Sequence, residues 1–552
     1  MSDLLNGKAW LGEYEDAVQA RLARFAEERV VARLWAQDGS LWSDDAVVQK
    51  SIVNRLGWLS SPLTMLARRE ELDCVRGAPY RDVVLLGMGG SSLAPEVFQR
   101  VLGNGPDAPR LHVLDNTTAD AVQGLRAALD LSQTLFVIAS KSGGTLETKS
   151  FGDYFYEQSG KQGKQFIAIT DAASQLAAEA EERGYAALFL NQQDIGGRYS
   201  ALSFFGLLPA TLIGVSIERL LAHAAEAIRH ASAATPPAQN EALVLGIIMG
   251  ELAAAGRNKL TFLASPTLGS FGDWAEQLIA ESTGKMGRGV LPIVGERAAG
   301  PESYGPDRLF VYMRLEGEGT HDERVAALRV AGHPVIQFDL QDPYHLGRHF
   351  FLWEFATAIA GVVLGINPFD EPNVTESKNN TKRLLQQFLD EGAFPLPQAS
   401  LDAEGVRVSG TVMGDSPEDA LRAFVEDTAE REYVAILAYV PMTQANEAAL
   451  RDLQAAIRDR SRAATTLGFG PRFLHSTGQY HKGGVPEGRF LQIVADDSAQ
   501  VAIPGAPYAF SALATAQALG DLEALEQRDL PTLRLHLSGN VAETIARLVD
   551  AL

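Results

Sequence analysis

From residue 81 to residue 190 the chain repeats one unit: a short apolar run, a polar turn and a stretch with helical spacing. The runs fall at 83–88, 111–114, 135–139, 166–169 and 187–190, with helical patterns at 93–102, 119–129, 146–158 and 174–183. Continuous apolar runs of this length, alternating with helices, belong to parallel strands buried on both faces by crossover helices. Helical stretches follow at 202–213, 217–231 and 240–255. The alternation then resumes with runs at 260–264, 291–294, 309–313 and 335–338. Long helices are expected at 344–366 and 374–389, and a third α/β block has runs at 434–439, 490–494 and 533–537. Tyr14, Ala17, Val18, Leu22 and Phe25 recur at helical spacing, so the first fifty or so residues read as amphipathic helix. The expected division is an N-terminal helical segment (1–60), a first α/β domain (61–235), a second (236–395) and a C-terminal α/β block (396–552), with a linker at 392–397. The fold class is α/β, two doubly wound parallel-sheet domains. The C-terminal block is expected to complete the second sheet, since four runs are few for such a sheet.

Charge and cysteine content narrow the function. Lys plus Arg number 48 against 69 for Asp plus Glu, a net charge of −21, which argues against a protein that coats nucleic acid. A lone cysteine, Cys74, excludes an internal disulfide framework and any multi-cysteine metal site. The greasiest stretches, 202–215 and 355–366, fall short of the roughly 20 apolar residues a membrane-spanning helix needs. The start, Met1-Ser2-Asp3-Leu4-Leu5-Asn6, lacks the basic-then-apolar order of a secretory signal, so a cytoplasmic enzyme is expected.

Ligands of doubly wound sheets bind outside the carboxyl ends of the strands, so the strand-to-helix turns are the places to look. The first turn is Gly87-Met88-Gly89-Gly90-Ser91-Ser92; its glycines let backbone approach an anion, and Ser91 can donate. The third is Ser140-Lys141-Ser142-Gly143-Gly144-Thr145, where hydroxyls and a helix start form a nest suited to a phosphate monoester. Neither is a dinucleotide fingerprint or a Walker loop. Gly196-Gly197-Arg198-Tyr199-Ser200 places an arginine after paired glycines. Glu281-Ser282-Thr283-Gly284-Lys285 ends a helix, where the dipole disfavours the ionised carboxylate while Lys285 favours it. Taken singly, these strings are ordinary loop punctuation, a surface arginine and a solvated glutamate.

Together, in this order and spacing, the four strings resemble the glucose-6-phosphate isomerase family. Phe369-Asp370-Glu371-Pro372-Asn373-Val374-Thr375-Glu376-Ser377-Lys378 is similar to that family's late lysine-bearing motif. The likeness runs over about 83–378, plus a stretch near His475, and is greatest to the isomerase half of bacterial transaldolase/glucose-6-phosphate isomerase fusions. The stretch ahead of Val83 is too short for a transaldolase barrel of about 250 residues. The resemblance implies two sugar-isomerase (SIS) domains with the site between them, a sugar-phosphate substrate, no metal and no cofactor. It implies no nucleic-acid or membrane partner, and it leaves room for a homodimer. It gives Glu281 as the base, Arg198 as the cation that stabilises enediolate charge and Lys378 as a neighbour of the ring oxygen. Ser140, Ser142 and Thr145, with Ser91, would hold the phosphate; Gly90, Lys141 and Glu371 complete the substrate site. Glu371 stands where the family commonly has Gln, and Asn373 where it has a small residue.

The family's ring-opening histidine normally lies between the Glu and Lys motifs. His321, His333, His345 and His349 occupy that interval without a convincing match, whereas Leu474-His475-Ser476-Thr477-Gly478-Gln479-Tyr480 resembles the histidine string but follows Lys378. His475 is the expected ring-opening group and His481 a second candidate. The expected function is reversible isomerisation of glucose 6-phosphate and fructose 6-phosphate through a cis-enediol. The alternatives are a non-catalytic phosphosugar-binding regulator, or an isomerase of another phosphosugar such as mannose 6-phosphate.

Overall fold

The computed structural model describes residues 4–411 and 414–552, so the first three residues of the start read above lie outside the described residues. An N-terminal strand, β1 (Ala9–Trp10), is followed by β2 (Asp82–Gly87), β3 (Arg110–Leu114), β4 (Thr134–Ala139), β5 (Phe166–Thr170) and β6 (Ala187–Leu190). β2 to β6 form an all-parallel sheet in the order β3-β2-β4-β5-β6. Every residue of β2, β4 and β5 is buried, as expected for strands covered by helices on both faces. The second sheet comprises β7 (Lys259–Ala264), β8 (Leu291–Ile293), β9 (Arg308–Leu315) and β10 (Val335–Leu340), in parallel, in the order β10-β9-β7-β8. β1 pairs antiparallel with the outer edge of β10.

The C-terminal block does not complete this sheet. Its strands β11 (Leu401–Ala403), β12 (Val406–Gly410), β13 (Tyr433–Tyr439), β14 (Ala464–Phe469), β15 (Gly488–Ala495) and β16 (Thr532–Leu537) form a separate six-stranded sheet, ordered β11-β12-β16-β15-β13-β14. Neither edge of the second sheet is a good acceptor. β10 is already paired with β1, and β8 is three residues long with Pro292 at its centre, which has no N–H to give. The sequence reading missed β11, β12 and β14 because they are not continuous apolar runs. β12 alternates Val406, Arg407, Val408 in an antiparallel pairing, and β14 carries Thr465 and Thr466.

The domains are joined through helices. The Leu346–Leu364 helix is buried nearly all round and crosses the Glu241–Ala254 helix so closely that a Cβ on Gly246 would lie 2.4 Å from the Ala356 carbonyl oxygen. The amphipathic pattern near the start is realised as the Glu15–Glu27 helix, which buries Val18, Leu22 and Phe25; Arg29, at φ 54°, breaks it there. The first fifty residues are thus several short helices, not one. The Pro372–Glu391 helix packs along the Phe510–Glu526 helix of the third block. Among the described residues, no helix is long and apolar enough to cross a membrane.

Candidate active site

In the first sheet the strand order reverses between β2 and β4, and the turn after β4 lines a cavity there. The turn after β2 touches the Arg198 turn directly: a Cβ on Gly90 would fall 2.0 Å from the Gly197 carbonyl oxygen. Gly90 therefore brings the Arg198 backbone against the sheet, a packing role that only a residue without a side chain can fill.

Arg198 is buried, with 4% of its surface exposed, and every donor group on it is engaged. Nε donates to the Ser282 hydroxyl at 2.8 Å, and Nη1 to Glu281 Oε1 at 3.2 Å and Glu371 Oε2 at 3.0 Å. Nη2 donates to the carbonyls of Pro368 and Asp370, each at 2.9 Å. Burial works against its charge, but Glu281 and Glu371 hold it more firmly protonated than an ordinary arginine. Glu281 lies in the last turn of the Phe271–Thr283 helix. Burial raises its carboxyl above the usual range, and Arg198 offsets part of that rise. Burial would lift Glu371 too, but Arg198 holds it below its ordinary value. Lys285, pushed down to about 8 by burial and by Arg198, donates to the Asn367 carbonyl at 2.6 Å and ion-pairs with Asp370 at 2.7 Å. Arg198 and Lys285 thus grip the same loop, the one leading into the helix that carries Lys378.

The cavity is lined by Ser142, Thr145, Glu147, Lys378, His475 and Gln517, among others; Arg198 and Glu281 are not in its wall. The Ser140 hydroxyl donates to Thr145 at 3.1 Å and Ser142 accepts from the Gly144 N–H at 3.3 Å, so the turn after β4 is organised internally. Lys378 is exposed at the wall and has no ion-pair partner among the described residues. Ser91 ends the short helical turn Gly89–Ser91 that follows β2 and does not line this cavity. Gly90, Ser140, Glu371 and Lys141, also expected at the substrate site, do not line it either. The Lys141 ammonium turns away to Asp171 at 2.6 Å and the Gln193 carbonyl at 2.8 Å, fixing the turn to β5's exit instead of facing a ligand.

His475 reaches the site from the third block by a route other than the expected one. Without joining the second sheet, the segment after β14 folds over the end of the Phe271–Thr283 helix. The Gln277 amide donates to the His475 carbonyl at 2.7 Å and to Glu281 Oε2 at 3.1 Å, and Ser476 donates to Glu276 at 2.8 Å. The His475 ring is 3.1 Å from Glu147, with Nε2 the nearer nitrogen. Farther along the same string, Gln479 accepts from the Asn373 N–H at 2.9 Å and donates to the Asn373 side-chain oxygen at 2.8 Å and the Gly284 carbonyl at 2.9 Å. Asn373, a departure from the family pattern, is thereby explained as the partner of Gln479. His481 is packed between Tyr433, Phe473 and Phe490, its imidazole held neutral by burial, and takes no part in the cavity. His349, buried against Phe271 and Phe338, is likewise driven down to about 3.

Glu147 and Gln517 escaped sequence reading. Burial alone would raise Glu147, but His475 holds its carboxyl below the ordinary value, and Gln517 donates to it at 2.8 Å. In the sequence an acidic residue in the first turn of a helix reads as a dipole partner, and Gln517 sits in a plain helical stretch of another block. Gln277, one turn before Glu281, was the detectable one. Among the described residues no group of three or more His, Cys, Asp or Glu could hold a metal ion.

The phosphoglucose isomerase family model matches residues 66–290, which include the Gly87, Ser140, Gly196 and Glu281 strings but neither Lys378 nor His475. The glucose-6-phosphate isomerase of Exiguobacterium sibiricum is 27% identical over 410 residues, covering 63% of this chain and 90% of the relative. That of Cyanothece sp. is 37% identical over 222 residues, 38% of this chain and 41% of the relative. A hypothetical protein of Thermus thermophilus superposes with a TM-score of 0.58 at 25% identity, covering 67% of this chain and 96% of its own. The glucose-6-phosphate isomerase of Chlamydia trachomatis shares the fold, with a TM-score of 0.51, 21% identity, and 66% and 79% coverage.

Proposed function

This chain belongs to the phosphoglucose isomerase family, and from that premise we propose how its residues divide the interconversion of glucose 6-phosphate and fructose 6-phosphate. The reaction opens the sugar ring, moves a proton between C2 and C1 through a cis-enediol, and closes the ring again. Glu281 is the base that serves both carbons. Its pKa, raised by burial, makes it a better proton acceptor than an ordinary carboxylate. Arg198 keeps a full charge beside the reacting carbons and offsets the negative charge of the enediolate oxygen. His475, oriented by Glu147, exchanges a proton with the ring oxygen, and Lys378 lies across the same cavity. Ser142 and Thr145, with Ser140 behind them, receive the phosphate at the start of the Leu146–Gln158 helix. The enzyme acts in the cytoplasm.

The observation that carries this reading is the Gln277 amide, which touches both the base and the backbone of the ring-opening histidine. It ties the helix that carries Glu281 to the backbone of the segment that carries His475, which supports the two acting on one substrate. The test is a coupled assay on purified protein with fructose 6-phosphate, glucose 6-phosphate and mannose 6-phosphate. Interconversion of the first two, with mannose 6-phosphate slower, is expected. Binding without turnover would mark a regulator, and fastest turnover of mannose 6-phosphate another isomerase.

A further inference from the structure

His475 and the carboxylate beside it, Glu147, meet at 3.1 Å although 328 positions separate them in the chain. Their contact lasts only while the turn that carries His475 keeps its place over the first sheet and its helices. That turn, Arg472–His475, is a short helical turn with the arginine at its start and the histidine at its end. Phe473 and Leu474 between them are buried, so a shift at one end is passed to the other. From the Phe271–Thr283 helix, Gln277 and Glu276 hold the backbone of His475 and the hydroxyl of Ser476. Arg472 supplies a second hold, on the elements of the first sheet.

Its Nη2 donates to Glu96 Oε2 on the Leu93–Leu102 helix, and its Nε lies 3.5 Å from Asp115 Oδ2, one residue past the end of β3. Glu96 pairs also with Arg100 at 2.7 Å, and Asp115 accepts from the Ser92 hydroxyl at 3.2 Å. Two cations thus meet two carboxylates, and Arg472 is the one ion-pair partner of Asp115 among the described residues. The side chains of Arg472, Glu96 and Asp115 are only 13%, 11% and 5% exposed. Burial works against the Arg472 charge, but Asp115 and Glu96 hold it more firmly protonated than an ordinary arginine. Taking such a cluster out of water costs energy that apolar packing would not. What the planar guanidinium adds is a fixed direction and distance between the His475 turn and two points of the first sheet's surroundings.

We propose that Arg472 is a positioning residue for ring opening: it ties the His475 turn to Glu96 and Asp115 so that the imidazole meets Glu147 in one orientation. The proposal rests on the reading of His475 as the ring-opening group. The test is a double-mutant cycle on the full-length protein. Arg472→Gln should lower kcat on cyclic substrate about tenfold with KM little changed, and slow an open-chain analogue much less. Arg472→Lys, which keeps the charge and can meet one carboxylate, should recover part of the loss. In a His475→Ala background Arg472→Gln should cost nothing more, because the group it acts through is gone. If thermal unfolding shows that Arg472→Gln does not fold, Asp115→Asn, which leaves the contact with Glu96, takes its place in the cycle with a loss of about threefold. The NMR signal of the His475 ring, assigned by its absence in His475→Ala, needs no turnover and should shift in Arg472→Gln or Asp115→Asn. A wild-type protein without isomerase activity would therefore fail the functional reading and leave the NMR signal to decide this one. An unmoved His475 signal, equal losses on cyclic and open-chain forms where His475→Ala separates them, or losses that multiply in the double variant would each overturn the proposal.

Discussion

The two ends of the proposed active site are built on opposite principles. At the proton-transfer end, Arg198 and Glu281 are buried and every charge is answered by another protein group; Ser282, Glu371, Pro368 and Asp370 complete the guanidinium's contacts. At the phosphate end, the hydroxyls of Ser142 and Thr145 and the ammonium of Lys378 border an open cavity. A buried, fully paired charge keeps its place while substrate comes and goes, which suits a group that must meet a transition state without reorganising. An open hydroxyl nest suits a dianion that must enter and leave. Substitutions at the first end should therefore appear mainly in kcat, and at the second mainly in KM.

The largest expected effect is at Glu281. Glu281→Gln should lower kcat by about 10²–10⁴-fold, the usual worth of general-base catalysis, with KM little changed. Arg198 remains neutralised by Glu371 in that variant, so the fold should survive. A drop confined to KM would remove the distinction between the two ends.

Next comes the histidine that joins them. His475→Ala should slow turnover of cyclic substrate by about 10²-fold, at the low end for acid–base catalysis, and slow an open-chain analogue much less. Glu147→Gln should move both rates in the same direction by less, since Glu147 acts on the ring through its contact with His475. Equal losses on cyclic and open-chain forms would place His475 in binding, not ring opening.

At the open end, Thr145→Val should raise KM by about 10–100-fold, the worth of one hydrogen bond to a charged group, and leave kcat near wild type. Initial-rate kinetics decide it; a fall in kcat alone would remove Thr145 from the phosphate site.

The smallest effect is expected from Glu371→Gln. Glu371 raises the Glu281 carboxyl and shares Arg198 with it, so neutralising it lets the Glu281 pKa fall. Glu281 acts deprotonated, so activity rises with pH through its pKa. The acid limb of the kcat/KM profile should then move to lower pH, with little change on the alkaline side. A shift to higher pH would mean that Glu371 supports Glu281 instead of competing with it.

What the sequence disclosed follows the same physical lines. Strands buried on both faces, such as β2 and β4, are continuous apolar runs and are legible without a structure; the half-solvated β11, β12 and the Thr-bearing β14 are not. Their omission hid the third sheet and made the C-terminal block look like an extension of the second. The Arg198 and Glu281 strings were visible because turn glycines and a helix end mark them. Lys141 was visible for the same reason, yet its contact with Asp171 belongs to the scaffold. Glu147 and Gln517 are separated by 370 positions and meet only through the packing of different blocks, which no local pattern records.

The account rests on Glu281 moving the proton between C2 and C1, and solvent isotope exchange reads that step directly. With fructose 6-phosphate in D₂O, the wild-type protein should place deuterium at C2 of the glucose 6-phosphate formed, and Glu281→Gln should bind the sugar phosphate yet fail to label it. Labelling by Glu281→Gln at near the wild-type rate would contradict the account and assign the proton transfer to another group.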